Sequence, residues 1–376
     1  MIRLPLRHPE RWQDHHVQGI LDTFLGSLSN DNWDFHFSKR LEGKELQEPL
    51  LQAHDIRDPI VGLFSGGLDS FLGVVEAAFG QPKSIVVASS VTSSYRLQHA
   101  QAGIITSIQH EIGSRLIWAP TPVRLFGGGL SAEERESSWR TRMFLFLAQG
   151  AIATVLANAS TLRVTENGVG AISLPYGADQ IGVSNTRATH PRTLALFSAL
   201  IEGVLDSPID VVNPALWRTK GQMCHLLEQF PYLRLAVQST VSCDQFAYAG
   251  ASRQCGRCTS CLQRGLALYA IGCSLPVSKL DQARPFDRFQ KSTQAARVPL
   301  HAMRDQVERM RGALVAVNPE RAVVAEFPDL IDVLATANTL RWPVQEVLRR
   351  LVVLYRSYVA EWDAFSSQVA YLQSAA

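Results

Sequence analysis

The sequence carries no excess of either charge. Its 36 Lys and Arg face 34 Asp and Glu, for a formal net charge of +2 and a pI near 8.2. That balance excludes a broad polycationic surface for nucleic acid and still leaves room for a local anion pocket. No run of about 18 uncharged apolar residues is present, so no membrane-spanning helix is expected. The nearest approach, Met143 to Ala159, is broken by Gln149, Gly150 and Asn158 and reads as a buried helix. Met1 to His8 lacks the apolar stretch of a signal peptide, and a cytoplasmic protein is expected. Cysteine is scarce, six in 376 residues, too few for a disulfide scaffold. There is no internal repeat and no low-complexity segment. The Walker pattern GxxxxGKS/T and the dinucleotide fingerprint GxGxxG are also missing, which excludes two common glycine-rich phosphate loops.

The composition is otherwise ordinary, 46% hydrophobic and 19% charged, enough for one large core or two modest ones. Residues 1–57 show no clear periodicity and read as an appended segment with a helix around His16 to Leu25; His8, His15, His16 and His36 form no ligand set. From Pro59 the pattern changes. Ile60 to Phe64, Ser84 to Val91, Arg115 to Ala119, Leu162 to Thr165 and Ile209 to Val212 are short apolar runs expected as strands. Phe71, Leu72, Val75, Ala78 and Phe79, and the residues from Met143 to Leu156, follow helical spacing. Alternating strands and helices predict an α/β fold, a doubly wound parallel sheet covered on both faces, over residues 58–275. Pro276, Pro285 and Pro299 among mixed charges suggest a linker over 274–300 and a boundary near 280. Residues 276–376 are expected to form a helical C-terminal domain. There Val344, Val347, Leu348, Leu351, Val352, Tyr355, Tyr358 and Trp362 recur at three- and four-residue steps after Pro343. Such a stripe serves either a homodimer or partner contact or the chain's own core, and the second is favoured.

Ser65-Gly66-Gly67-Leu68-Asp69-Ser70 stands where the first of these strands turns into a helix. Adjacent glycines let backbone N–H groups approach phosphate oxygens, and the helix start adds partial positive charge. Ser65 and Ser70 can donate hydroxyl hydrogen bonds, and Asp69 can help hold Mg2+ against a triphosphate. The alternative is a tight glycine turn without a ligand. The flanking strand and helix favour the phosphate site, with ATP as the expected nucleotide. Cys243, Cys255, Cys258 and Cys261 supply four thiolates at x11, x2 and x2 spacing, with Gly256 at the turn and Cys224 and Cys273 apart. Four protein ligands leave no position for a reactive water, so the expected ion is a structural Zn2+.

SGGxDS in this setting resembles the PP-loop of the N-type ATP pyrophosphatases. Ser242-Cys243 with Cys255-Gly256-Arg257-Cys258 and Ser260-Cys261 resembles the zinc segment of one branch, the QueC family. Arg140-Thr141-Arg142, Asn213-Pro214 and Thr219-Lys220-Gly221 follow the same family order. The resemblance covers about 59 to 272. It implies a sheet of the HUP/PP-loop type and adenylation of a carboxylate with release of pyrophosphate. The expected substrate is 7-carboxy-7-deazaguanine, whose acyl group passes to nitrogen. It also implies a phosphate contact from Lys220, the alternative being an exposed lysine at a helix start. Arg140, before an apolar helix, is read as a phosphate or carboxylate contact in preference to a solvated helix start. Arg142 stands equally between such a contact and a solvated helix start. Glu166, at a strand's carboxyl end, is expected to hold magnesium or the base edge, or equally to pair with an arginine. Arg187 and His190 are read as a polar loop over the substrate, with a turn-shaping role as the alternative for His190.

The sequence also departs from the family. Thr141 stands where an asparagine is expected, and no Tyr-Pro-Asp-Cys-Arg stretch occurs. Glu166-Asn167-Gly168 and Asn185 to Pro191, with the added termini, look more like the enlarged QueC-like proteins of antiphage operons, including the QatC group. A protein amine therefore stands beside ammonia as acceptor, with operon-encoded defence proteins as partners. A tRNA-modifying PP-loop enzyme and a non-catalytic nucleotide-binding scaffold are the competing readings.

Overall fold

A computed structural model describes residues 1–41, 56, 58–81, 83–91, 95–123, 140–177, 187–205, 207–244, 254–272 and 294–367. Asn185, Thr186, Cys273 and the expected boundary near 280 lie outside the described residues. The N-terminal segment contributes β1 (Ile2–Leu6), α1 (His15–Ser29) and β2 (Phe35–Lys39). Asp14 caps α1 by accepting from the backbone of His16 and Val17, which stops fraying at its first turn. The two strands pair in parallel, Ile2 opposite Phe35, a pairing not evident in the sequence.

The main sheet follows: β3 (Ile60–Leu63), α2 (Leu68–Gly80), β4 (Ile85–Val91), α3 (Tyr95–Ile112), β5 (Leu116–Pro122), α4 (Arg142–Leu156), β6 (Thr161–Arg163), α5 (Gly168–Ile172), α6 (Pro191–Leu205) and β7 (Asp210–Val212). All five strands are parallel in the order β5-β4-β3-β6-β7, as the sequence pattern predicts. Alternation within the central strands feeds two cores. Ile60, Ile85 and Val87 pack with Phe71, Leu72, Ile104 and Ile108 on one face. Val61, Val86 and Leu162 pack with Leu147, Phe197, Leu200 and Phe24 on the other. The second core includes α1, so the N-terminal segment is packed onto the sheet's helices. Truncating a fully buried aromatic there, such as Phe197, costs on the order of 3–5 kcal/mol.

Helices α7 (Lys220–Cys224) and α8 (Thr259–Ala270) precede a C-terminal set, α9 (Gln294–Leu314), α10 (Pro319–Glu326), α11 (Leu330–Leu334) and α12 (Val344–Ser366). Helix α9 corrects the linker expectation at its end, because Pro299 lies inside the helix. Proline alone suggested a break, yet Leu300, Met303, Val307, Met310 and Leu314 form a buried stripe, and that burial outweighs the missing N–H. Val347, Leu351, Tyr355, Tyr358 and Trp362 of α12 pack into the same core as Val169, Leu216, Leu262 and Leu266. Val344, at the start of the stripe, is exposed. None of the described helices is long and apolar enough to cross a membrane.

Candidate active site at the carboxyl ends of the central strands

The chain enters the sheet at its centre, moves outward through β4 and β5, and returns across to β6 and β7. The order therefore reverses between β3 and β6, where open α/β sheets bind ligands beyond the strands' carboxyl ends. The predicted phosphate loop leaves β3 at this point. Gly66 has φ +84°, and a Cβ there would lie 2.9 Å from Gln101 Cγ, so both backbone and space require glycine. The Gly67 N–H donates to Ser65 Oγ at 3.2 Å, Ser70 Oγ donates to the Gly67 carbonyl at 3.0 Å, and the two serine oxygens are 3.2 Å apart. Both hydroxyls are thus held at the mouth of α2.

Behind the loop, Asp69 is buried and Lys220 Nζ lies 2.6 Å from its Oδ2. Asn167 donates to Asp69 Oδ1 from its backbone N–H at 3.1 Å and from Nδ2 at 3.0 Å, and Nδ2 also reaches Glu166 Oε1 at 2.7 Å. Asn213 clamps the backbone of Glu166 by accepting from its N–H and donating to its carbonyl. Lys220 Nζ is 4.0 Å from Glu166. Burial alone would depress the Lys220 ammonium, but Asp69 and Glu166 outweigh it and its pKa is raised. Glu166 is pushed up to about 8, first by burial and then by Asp69. Although 29% of its side chain faces open space, the carboxyl lies deep within the protein volume. Asp69, Lys220 and Glu166, expected from the sequence, are brought together. Asn167, which organises them, was visible only as part of an unusual segment.

In front of this cluster lies a cavity of about 210 Å³ bounded by Ser65, Ser70 and Glu166, with Leu63, Phe64, Met143 and Phe146 among its apolar walls. Two glutamines in the wall have unsatisfied atoms. Gln101 is 2% exposed and donates to the Ser65 carbonyl at 3.0 Å, leaving Oε1 without a partner; Gln149 is 9% exposed with Nε2 unpartnered. Buried amides without partners destabilise the protein, and both of these glutamines line the cavity. Gln149 had a sequence signal as a polar interruption of an apolar helix. Gln101 had none.

The arginines divide differently from expectation. Arg140 does not line this cavity; it donates to the Ser29 carbonyl and pairs with Asp31 at 3.6 Å. Arg142 does line it and stacks over Phe146. Arg187 is held by Asp329 at 3.0 Å and Asp332 at 2.5 Å. His190 is buried and accepts the Arg192 N–H on Nδ1 at 3.1 Å, whereas its neighbour Thr189 reaches the cavity.

The sulfurs of Cys243, Cys255, Cys258 and Cys261 all lie within 4.8 Å of one another. Cys255 and Cys261 are 3.9 Å apart, close to the ~3.8 Å edge of a tetrahedron built on Zn–S bonds of about 2.3 Å. The N–H of Cys258 points to Cys255 Sγ at 3.3 Å, and that of Cys255 to Cys243 Sγ at 3.3 Å. Cys255 falls well below the usual thiol range because Cys243, Cys258 and Cys261 donate towards it. Four convergent sulfurs with a stabilised thiolate fit zinc in a closed, structural site.

Residues 159–272 match the family model described as queuosine biosynthesis protein QueC. Over that stretch the chain is similar to QueC. The matched stretch carries Glu166, Asn167, Asn213, Lys220 and all four clustered cysteines, while the loop Ser65 to Ser70 precedes it. The similarity supports an ATP-using synthase in general terms.

Proposed function

We propose that this QueC-like chain adenylates the carboxylate of 7-carboxy-7-deazaguanine and passes the acyl group to nitrogen. A carboxylate oxygen attacks the α-phosphorus of ATP and pyrophosphate leaves; the nitrogen nucleophile then attacks the acyl carbon and AMP leaves with that oxygen. The observation that carries this reading is the shared cavity edge of Ser65, Ser70 and Glu166, backed by the Lys220–Asp69 pair at 2.6 Å.

In this arrangement the hydroxyls of Ser65 and Ser70 and the N–H groups opening α2 hold the departing pyrophosphate. Lys220, fixed by Asp69, offers a buried cation to charge that grows on the phosphates. Both Asp69 oxygens already have protein partners, so Glu166 is the carboxylate better placed for Mg2+, which keeps waters and phosphates as its other ligands. The four cysteines would hold Zn2+ away from the chemistry. Apolar walls with the orphaned Gln101 and Gln149 atoms suit a flat heterocycle with donor and acceptor edges.

The test is product analysis after incubation with ATP, Mg2+, the deazaguanine acid and either ammonia or an operon-encoded partner protein. AMP and pyrophosphate should appear only when the acid is present. A small amide or nitrile identifies ammonia as acceptor, and a mass gain on the partner identifies a protein amine. ADP as product rules out adenylation, and nucleotide binding without turnover supports a scaffold.

A further inference from the structure

The C-terminal helix reaches the centre of the site. Glu361 of α12 accepts a hydrogen bond from the Thr219 hydroxyl, immediately before Lys220. Immediately after it, a Cβ at residue 221 would lie 2.5 Å from Glu361 Oε1 and 2.9 Å from Oε2, so the carboxylate rests on the backbone of Gly221. Thr219 also forms a capping box with Gln222, each side chain bonding the other's backbone N–H at 3.0 and 2.9 Å, and Gln222 Nε2 reaches Ser357 Oγ of α12 at 3.1 Å. Burial raises the pKa of Glu361, offset in part by the Thr219 hydroxyl and the N–H groups of Gln222 and Gly221.

A second observation points the same way. A void of about 10 Å³ lies among Asn167, Lys220, Gln263, Tyr358 and Glu361. The Tyr358 hydroxyl is buried without a partner. A space of that size with several polar neighbours suits one ordered water, which would join α12 to the Lys220 and Asn167 cluster.

We propose that Glu361 is a positioning residue for Lys220, and that α12, by gripping both chain neighbours of that lysine, completes the active centre. The lysine stem is long and flexible, and its ammonium keeps one place only while residues 219 to 221 keep theirs. Loss of the Glu361 contact frees Thr219 and lets the ammonium leave Asp69. This inference rests on the reading of Lys220 as a phosphate-facing cation, and two readouts separate the two claims.

The experiment compares the full chain with Glu361→Ala, Glu361→Gln and Tyr358→Phe. The first readout needs no turnover: the rate at which an amine-acylating reagent modifies Lys220, followed by peptide mass spectrometry. Glu361→Ala should speed modification about three- to tenfold, as expected for loss of one hydrogen bond of ordinary net strength. Glu361→Gln, which can still accept from Thr219, should remain near wild type. The second readout is pyrophosphate release per folded molecule, where Glu361→Ala should lower kcat about tenfold with KM for ATP changed by less than about twofold. Tyr358→Phe should fall between wild type and Glu361→Ala in both. Wild-type labelling and wild-type kcat in Glu361→Ala would overturn the proposal, leaving Glu361 a packing contact. If the wild-type chain releases no pyrophosphate, the functional reading fails, and the labelling rates still decide the positioning claim.

Discussion

The backbone N–H of Val241 donates to the carbonyl of Gly66 at 2.9 Å. Val241 lies two residues before Cys243, so the chain that enters the cysteine cluster is fastened to the phosphate loop. Gln254, next to Cys255, accepts from the Ser242 N–H at 2.8 Å and donates to the Thr240 carbonyl at 3.1 Å, which stiffens the same segment. Order in the cluster is thereby transmitted to Gly66.

Removing the metal should therefore weaken nucleotide binding as well as stability. Treatment with a strong chelator, or Cys258→Ser, should lower Tm by more than ~5 °C, at roughly 2–4 °C per kcal/mol for a domain of this size. ATP affinity measured by calorimetry should fall severalfold. Unchanged ATP affinity in zinc-free protein that is still folded would contradict the coupling through Val241.

The Lys220–Asp69 pair is almost wholly buried, so neither partner can be removed cheaply. Lys220→Met leaves Asp69 without its cation and should destabilise by about 3 kcal/mol. It should also lower pyrophosphate release by about 100-fold or more. Denaturant unfolding separates the two effects, because a purely structural lysine would leave the folded fraction fully active.

Gln149 presents the opposite balance. Its Nε2 is buried without a partner, so Gln149→Met should leave the free protein as stable or raise Tm slightly. Binding of the heterocyclic ligand should weaken about tenfold because its acceptor loses a donor. A variant that loses stability and keeps affinity would remove Gln149 from the binding wall.

Acid should destabilise the junction between the sheet and α11. Burial, and then the Arg187 charge, lowers the pKa of His190 from 6.5 to about 4. The folded state holds this imidazole neutral while the unfolded chain protonates it. Its contribution is thus present above pH 6.5 and lost as pH falls towards 4. The loss is on the order of a few kcal/mol. Unfolding free energies across that window should slope downward with acidity, and His190→Gln should flatten the slope.

Much of the frame is legible without coordinates. The β-branched runs at Ile60, Ile85 and Val211 mark strands because a parallel sheet buries both faces, and Gly66 before Leu68 marks a loop-to-helix turn. The cysteines declare themselves by spacing alone. What escaped depends on contacts far apart in the chain. Ile2–Leu6 contains Pro5 and is largely exposed, so its pairing with Phe35–Lys39 could not be read locally. Asn167 reaches Asp69 across 98 positions, and Glu361 reaches Thr219 across 142; a single polar residue gives no local sign of such a partner. Arg140 lies in the turn before α4 and Arg142 opens that helix, enough to send one to Ser29 and the other to the cavity.

The adenylation claim is tested most directly by isotope transfer. The acid labelled with 18O in its carboxylate is incubated with ATP, Mg2+ and the nitrogen acceptor, and the nucleotide product is analysed by mass spectrometry. The account predicts AMP carrying one labelled oxygen in its phosphate, dependent on Lys220. Unlabelled AMP, or label in inorganic phosphate beside ADP, would contradict it.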